Sequence, residues 1–249
     1  MTASFTLAFK REVMKSGDIF LVRGNGKFST LLATAQKAFY GKAKSSHVLI
    51  NLAEGSFVHA TTDGGIDIVF FEDVLPEIDP SWRAVRLKGL TQEQRDEIMK
   101  ACIYYFEQGY NYKYFMKEKE HSSFCSELAS KIYRKASINI FDGKTPNKTI
   151  PADFDRACDS DSAWEEVTEE FRTAIDEMNE SISDYKMGFS FMLASIKKRQ
   201  FMLRNWSQIF KAMESMAEQG LISKDFYEKA AKQEEEFLKN KNISFWDEE

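Results

Sequence analysis

Apolar and polar residues alternate in short segments through the first third of the chain. The alternating segments are DIFLVRG (18–24), SHVLINLA (46–53), FVHAT (57–61), IDIVFF (66–71) and WRAVRL (82–87). The turn sequences EGS and DGG separate the middle three segments, and short glycine-containing turns are typical of antiparallel hairpins. The pattern therefore predicts an antiparallel sheet of five or six strands.

Helical periodicity appears on either side of these strands. Apolar residues recur at helical spacing from Phe28 to Phe39, which predicts one face of a helix flanking the sheet. Thr91 and Gln94 have the spacing of a capping box, and the helix they begin should stop before Gly109. A third helix is expected to begin close to Cys125.

The strand pattern ceases after Asp155. Ser162 and Glu165 form another capping-box pair, and the chain from there is predicted to be helical, with interruptions at 181–184 and at Gly220. Apolar side chains recur along one stripe, at Tyr185, Phe189, Met192, Ile196, Leu203, Trp206, Phe210 and Met213. We expect that stripe to pack on the rest of the chain, with a membrane surface or a partner protein as the alternative. The predicted fold is α+β, with a domain at 1–157 and an α-helical extension at 158–249.

Composition excludes some function classes. The formal net charge is −5, and the acidity is concentrated after residue 160. Since no basic stripe is interleaved with aromatic residues, nucleic acid is a poor candidate partner. Three cysteines without a CxxC spacing argue against a disulfide framework and a zinc ribbon. The first residues lack a signal-peptide pattern, so we expect synthesis in the cytosol, with export by a dedicated secretion system as a hypothesis.

Candidate chemistry centres on one cysteine and two histidines. Cys125 lies where a loop leads into a predicted helix, and His47 and His59 lie on two adjacent predicted strands. A neighbouring imidazolium and a helix N-terminus both favour the reactive thiolate. Amide groups at the helix start would also stabilise an oxyanion. These positions predict Cys125 as nucleophile, with His59 holding His47 in the correct tautomer.

Five segments resemble the motifs of one known family, both in their order along the chain and in their amino-acid residues. They are GDIFLVRG (17–24), SSHVLI (45–50), FVHAT (57–61), GYNYKYF (109–115) and FCSELASKIY (124–133), with IPADFD (150–155) as a further match. The chain resembles the circularly permuted NlpC-type papain-like cysteine hydrolases, in particular the YiiX/YebB-like group. The resemblance implies Cys125 as nucleophile, His47 as base and His59 as orienting group, although many relatives carry Glu at the third position.

The resemblance also implies a substrate-binding set and a reaction. Tyr112 would line the cleft, Asp18 would shape its floor or bind a substrate ammonium, and Ser126 would assist beside the nucleophile. The reaction would be acyl transfer to water, without a cofactor or a metal. The substrate would be a peptidoglycan peptide stem or a related acyl amide. An antibacterial effector with an immunity or secretion partner would fit such an activity.

Four alternatives remain open from the sequence. Other permuted members of the family act on lipids or acyl chains, and an acyltransferase would use the same thiol. An inert domain would serve as a binding module through its helical tail. A zinc site could use Cys125, His47, His59 and His121, whose side chains are suitable ligands.

Overall fold

The computed structural model describes residues 13–113, 118–239 and 243–248. The strands are β1 (Ile19–Val22), β2 (His47–Ala53), β3 (Ser56–Thr61), β4 (Gly65–Phe70), β5 (Arg83–Leu87), β6 (Gly109–Tyr110), β7 (Ser122–Ser123) and β8 (Trp164–Glu166). The α-helices are α1 (Lys27–Gln36), α2 (Phe71–Val74), α3 (Gln92–Tyr104), α4 (Cys125–Lys135), α5 (Pro151–Ser160), α6 (Thr168–Asn179), α7 (Ile182–Glu218) and α8 (Lys224–Lys239). Short 3-10 turns lie at Leu75–Glu77, Pro146–Lys148 and Trp246–Glu248.

An antiparallel six-stranded sheet forms the centre of the molecule, in the order β4-β3-β2-β1-β5-β8. One face, which includes Val48 and Ile50, packs with Leu128 and Ile132 of α4. The other face packs against α6, where Phe171 lies 6.2 Å from Phe20 between ring centroids. The α+β prediction is confirmed, because a sheet buried on both faces by helices accounts for both apolar cores.

The strand and helix positions agree closely with the predicted pattern in the first 135 residues. All five predicted strands are present, and the capping box of Thr91 and Gln94 forms as expected. The β3–β4 turn depends on Gly65, which has a φ of +71° and lies so close to Gln108 that an added Cβ would be 2.3 Å from its carbonyl oxygen. Because only glycine fits there, the hairpin register is fixed.

Beyond residue 155 the structure corrects the predictions. Residues Trp164–Glu166 are not helical but form β8, which pairs with β5, and the next helix begins at Thr168. A short edge strand with one apolar residue carries no alternating pattern that would predict it. Such a strand forms because its backbone groups pair with a neighbouring strand. The predicted boundary at 157/158 falls inside α5, and β8 and α6 complete the sheet and its second core.

The C-terminal helices follow the predicted breaks. The chain leaves α6 at Asn179, begins α7 at Ile182 and turns at Gly220, which has a φ of +73°. Much of the predicted apolar stripe packs on the domain, as shown by Phe189, whose ring lies 5.3 Å from that of Phe70. Among the described helices, none is long and apolar enough to cross a bilayer.

Asp18 anchors the start of β1 from inside the protein. Its carboxylate is fully buried and accepts two hydrogen bonds from Arg86, at 2.9 and 2.7 Å, and one from the Lys15 amide at 2.9 Å. Glu170 binds the same guanidinium at 2.9 Å from the exposed side. A bidentate pair that is removed from water in this way tolerates the loss of neither partner.

We expect Asp18→Ala to lower the free energy of unfolding by about 3–5 kcal/mol, because it removes the buried half of the Arg86 ion pair and leaves only the exposed Glu170 carboxylate to balance the guanidinium charge. Glu170→Ala is the matched control and should cost less than about 1 kcal/mol, because its carboxylate is solvent-screened. Urea denaturation of both variants measures the difference. Equal losses in the two variants would contradict a structural role specific to Asp18.

Candidate active site

Cys125 occupies the first position of α4, directly after an extended residue. Phe124 has a φ of −92° and a ψ of 171°, so the chain changes from extended to helical at the cysteine. The carboxylate of Glu127 accepts a hydrogen bond from the Phe124 amide at 3.3 Å, which caps the helix. The first amides of a helix have no partners within it, so the Cys125 and Ser126 N–H groups are available at the helix start.

Cys125 is buried, with 8% of the residue exposed. Burial raises the pKa of the thiol to about 11, although the nearby backbone N–H groups of Val48, Ser126 and Cys125 and the adjacent Ser126 side chain act in the opposite direction. The sulfur therefore lies beside the peptide group that joins His47 to Val48. Near neutral pH this nucleophile is a thiol in the resting protein.

His47 and His59 form a close pair on adjacent strands. His47 is the first residue of β2, and its Nε2 lies 3.2 Å from Nδ1 of His59 on β3. Burial lowers the pKa of His47 to about 3, with a further contribution from the charge of His59, and burial lowers the pKa of His59 to about 4. Both rings are neutral at pH 7. If His47 donates from Nε2 to His59, its Nδ1 is left as a free base.

The Cys125 thiol lies beside the Val48 amide, whereas the alternation of β2 directs the His47 side chain away from the sheet face that α4 covers. Val48 faces α4, and His47 has the opposite alternation along β2, at the strand end where the ladder opens. The described residues contain no hydrogen bond between Cys125 and the His47 ring. Proton transfer between the two groups would require them to move closer than they lie in this structure, and catalytic contacts are often loose in enzymes without substrate.

Asp67 is a residue of this site that the sequence analysis missed. It is the cross-strand partner of His59 in the β3–β4 hairpin, and its charge acts to raise the pKa of that histidine. Directly opposed residues have Cβ atoms about 5 Å apart. The sequence carried no signal for this pairing, because it depends on the turn register, in which Thr61 pairs with Gly65 and His59 therefore pairs with Asp67.

Asp155 holds the segment that leads into His47. Its buried carboxylate accepts hydrogen bonds from the Lys44 and Ser45 amides, each at 2.9 Å, and from the Ser45 hydroxyl at 2.9 Å. Gln36 of α1 supports the same loop, since its side-chain N–H donates to the Ser45 carbonyl at 3.1 Å. The α5 helix thus positions the start of β2, and with it the His47 backbone.

A second buried polar network supports the loop between α3 and α4. Lys131 donates to the Ser122 carbonyl at 2.9 Å and to the Ser123 hydroxyl at 3.0 Å, and it lies 3.3 Å from Glu127. Glu127 in turn accepts from the side chain of Asn111 at 3.0 Å. One ion pair therefore connects the start of α4 to the loop that precedes it.

The three predicted substrate-binding residues have different environments. Tyr112 is 64% exposed and its hydroxyl donates to the Thr62 carbonyl, beside the β3–β4 turn. Ser126 is fully buried and donates to the Thr149 carbonyl at 2.7 Å, so it supports the helix start instead of facing substrate. Asp18 does not reach the site, because it lies at the opposite end of the β1–β2 ladder from His47 and is occupied by Arg86.

The remaining predicted candidates lie apart from this centre. Cys102 is fully buried and Cys158 is half-buried. His121 lies on an exposed loop, where its ring is 5.4 Å from that of Trp246. The described part of the chain contains no cluster of three or more His, Cys, Asp or Glu side chains arranged to hold a metal ion.

A cavity lies away from the candidate active site. A groove of about 780 Å³ runs between α3, α7 and α8, with Ile103, Trp206 and Phe210 among its lining residues. None of its lining residues is His47, His59 or Cys125. The groove has no cysteine or histidine among its lining residues, so it is not the candidate active site.

Comparison with family models, curated proteins and solved structures finds no match for this chain. The resemblance to permuted NlpC-type hydrolases therefore stays a prediction, carried by the motifs and their order. The site residues are considered below on their geometry.

The raised pKa of Cys125 predicts how its reactivity depends on pH. Because the thiolate fraction is small until the pH approaches 11, iodoacetamide labelling should rise about tenfold per pH unit above neutrality. Peptide mass spectrometry resolves Cys125 from the other two cysteines. A labelling rate that is already constant below neutral pH would instead indicate a resting thiolate–imidazolium pair, contradicting the neutral state.

Asp155→Ala should loosen the segment before His47. The loss of an acceptor for two amides and a hydroxyl is expected to lower the free energy of unfolding by about 2–3 kcal/mol. The imidazole NMR signals of His47 should shift as well. Ser160→Ala, an exposed change on the same helix, is the control and should leave both measurements unchanged. Unaltered histidine signals in the Asp155 variant would exclude the positioning role.

Proposed function

We propose that the protein is a cysteine hydrolase that cleaves an amide or ester bond through an acyl-enzyme intermediate. Cys125 is the nucleophile, His47 the general base and His59 the group that orients it. The observation that supports this assignment most directly is the 3.2 Å contact between His47 and His59, beside the peptide group that the Cys125 thiol faces. A nucleophile, a base and an orienting group in this order are the components of acyl-transfer catalysis.

The first step would join sulfur to the carbonyl carbon. His47 Nδ1 accepts the thiol proton as the S–C bond forms, and the carbonyl oxygen becomes an oxyanion. The Cys125 and Ser126 amides at the start of α4 are placed to stabilise that oxyanion. Since both partners are neutral at rest, attack and proton transfer must be coupled, as they are for a hydroxyl nucleophile.

The second half of the reaction releases the acyl group. Protonated His47 donates its proton to the leaving amine or alcohol as the bond to the carbonyl carbon breaks. His47 then accepts a proton from water, whose oxygen attacks the thioester. The S–C bond breaks, the sulfur recovers the proton, and a carboxylic acid leaves. His59 stabilises the charged form of His47 in both steps, and the nearby Asp67 carboxylate supports His59.

The resemblance directs the first choice of substrate to the amides of peptidoglycan peptide stems. A second candidate is an acyl lipid or acyl amide, because α1, which is hydrogen-bonded to the segment before His47, and the turn after it carry exposed apolar residues. Leu31 and Phe39 are 66% and 65% exposed, respectively. Both candidates require the same chemistry and differ in what carries the carbonyl group.

The proposed roles predict a graded loss of activity. Cys125→Ala and His47→Ala should each lower turnover by at least about 10³-fold, because each removes a reacting group. His59→Ala should cost about 10–10²-fold and Asp67→Asn less, since these residues act through His47. Cys158→Ala is the matched cysteine control and should retain full activity.

Mass spectrometry of peptidoglycan fragments, acyl amides and acyl lipids incubated with each variant provides the measurement. The class whose products appear with the unchanged protein and vanish with Cys125→Ala is the substrate. A trapped acyl adduct should map to the peptide that contains Cys125. Equal turnover by the unchanged protein and Cys125→Ala would overturn the proposal.

A further inference from the structure

The helix α1 has its apolar side turned toward solvent. Leu31 and Leu32 in the middle of the helix are 66% and 41% exposed, and Phe39, just after the helix, is 65% exposed. They belong to the face that was predicted from the sequence to flank the sheet. Large apolar side chains grouped at helical spacing on an exposed surface mark a site of interaction.

This orientation is imposed by polar contacts on the inner side of α1. The Gln36 side chain is buried, donates to the Ser45 carbonyl at 3.1 Å and accepts from the Ala152 amide at 2.7 Å. Ser29 accepts from the Gly24 amide at 2.8 Å and shares a hydrogen bond with Ser46. Turning the apolar residues inward would leave these buried groups unpaired, so the exposed face is a property of the fold.

Positive charge surrounds the exposed face. The chain from Gly24 to Ala53 contains four lysines and no aspartate or glutamate. Three of them, Lys37, Lys42 and Lys44, border a cleft of about 380 Å³ just after α1. The cleft contains one carboxylate, Asp159, which is already bound by Arg83 at 2.8 Å and by Tyr40 at 2.7 Å.

Exposed apolar residues beside exposed lysines match the surface of an anionic bilayer. Apolar side chains of a helix enter the boundary between headgroups and acyl chains, and each nearby lysine adds attraction to anionic headgroups. A second copy of the chain fits less well, because a two-fold contact through this face would bring like charges together. An uncharged protein partner would not use the lysines.

The exposed face is directly connected to the candidate active site. Ser29 and Gln36 of α1 bind Ser46 and Ser45, which immediately precede His47. A bilayer in contact with Leu31 and Phe39 would therefore lie across one helix from the segment that leads into His47. Acyl groups held in the bilayer would be presented to Cys125.

We infer that the α1 face, formed by Leu31, Leu32 and Phe39 with Lys37, Lys42 and Lys44, docks the protein on an anionic lipid bilayer. The docking itself is independent of catalysis. The extension to substrate class rests on the proposed function: the carbonyl group attacked by Cys125 would belong to an acyl lipid in that bilayer.

Vesicle sedimentation with the full-length Cys125→Ala protein tests docking without turnover. Binding to phosphatidylcholine vesicles that contain phosphatidylglycerol should exceed binding to phosphatidylcholine alone and should weaken with salt. Leu31→Ser with Phe39→Ser should reduce the partition coefficient at least about tenfold, because two inserted apolar side chains are lost. Lys37→Glu with Lys42→Glu should reduce it at least about fivefold.

Matched controls come from exposed positions far along the chain. Leu221 and Phe226 are 66% and 57% exposed, so Leu221→Ser with Phe226→Ser removes similar apolar area. Lys229→Glu with Lys232→Glu repeats the charge change on α8. Circular dichroism verifies that every variant is folded. Equal binding to both vesicle types, or equal losses in the α1 variants and their controls, would overturn the docking inference.

A second comparison separates docking from catalysis. With the active protein, the α1 variants should lower turnover of a vesicle-embedded acyl substrate about tenfold while leaving a soluble short-chain ester unaffected. Failure to cleave either substrate would refute the extension to an acyl-lipid substrate, while vesicle binding and the peptidoglycan assay of the proposed function are independent results. Loss of vesicle binding without loss of vesicle turnover would refute the link between the bilayer and the substrate.

Discussion

The contact between the N-terminus of α4 and the first peptide group of β2 is the constraint on which the candidate chemistry depends. It brings the Cys125 sulfur to the amide of Val48, the residue that follows His47. Two buried carboxylates secure the contact from different directions. Glu127 caps the helix start, and Asp155 binds the loop before the strand. Neither carboxylate would contact substrate, yet both determine where the reacting groups lie.

Burial at this contact gives the site its resting chemistry. A helix N-terminus and a nearby histidine would favour a thiolate in a solvated cleft. Here the removal of water is the larger effect, since it holds the pKa of Cys125 near 11 and that of His47 near 3. A neutral pair avoids two unpaired charges in a poorly solvated place. The reactive state would then form only as a carbonyl group arrives.

The cost of leaving a buried polar group without a partner also determines the orientation of α1 at the surface. Each buried polar group that lost its hydrogen-bond partner would cost about 1–3 kcal/mol, and this cost opposes burial of the three apolar side chains. Gln36 and Ser29 therefore face inward, and Leu31, Leu32 and Phe39 face outward. The loop that these polar contacts hold is the one that ends at His47. Docking and the proposed catalysis thus use opposite sides of one short helix.

Local patterns in the sequence were sufficient for the sheet and for part of the site. Alternation predicted the five main strands, and the turn glycines with the Thr91 capping box marked where elements begin and end. The same patterns placed His47 and His59 on adjacent strands and Cys125 at a helix start, because these are properties of short segments. They could not show that the thiol lies beside the Val48 amide and makes no hydrogen bond to the His47 ring among the described residues, since that depends on how α4 packs.

Tertiary structure decided the features that depend on distant partners. Asp18 could not be recognised as a buried ion-pair residue, because Arg86 lies 68 positions further along the chain. The strand Trp164–Glu166 forms because its backbone pairs with the edge of β5, and its own residues carry no strand pattern. Periodicity showed that α1 has an apolar face, but a period does not say which way the face points. That direction was set by the partners of Gln36 and Ser29, which only the folded chain brings together.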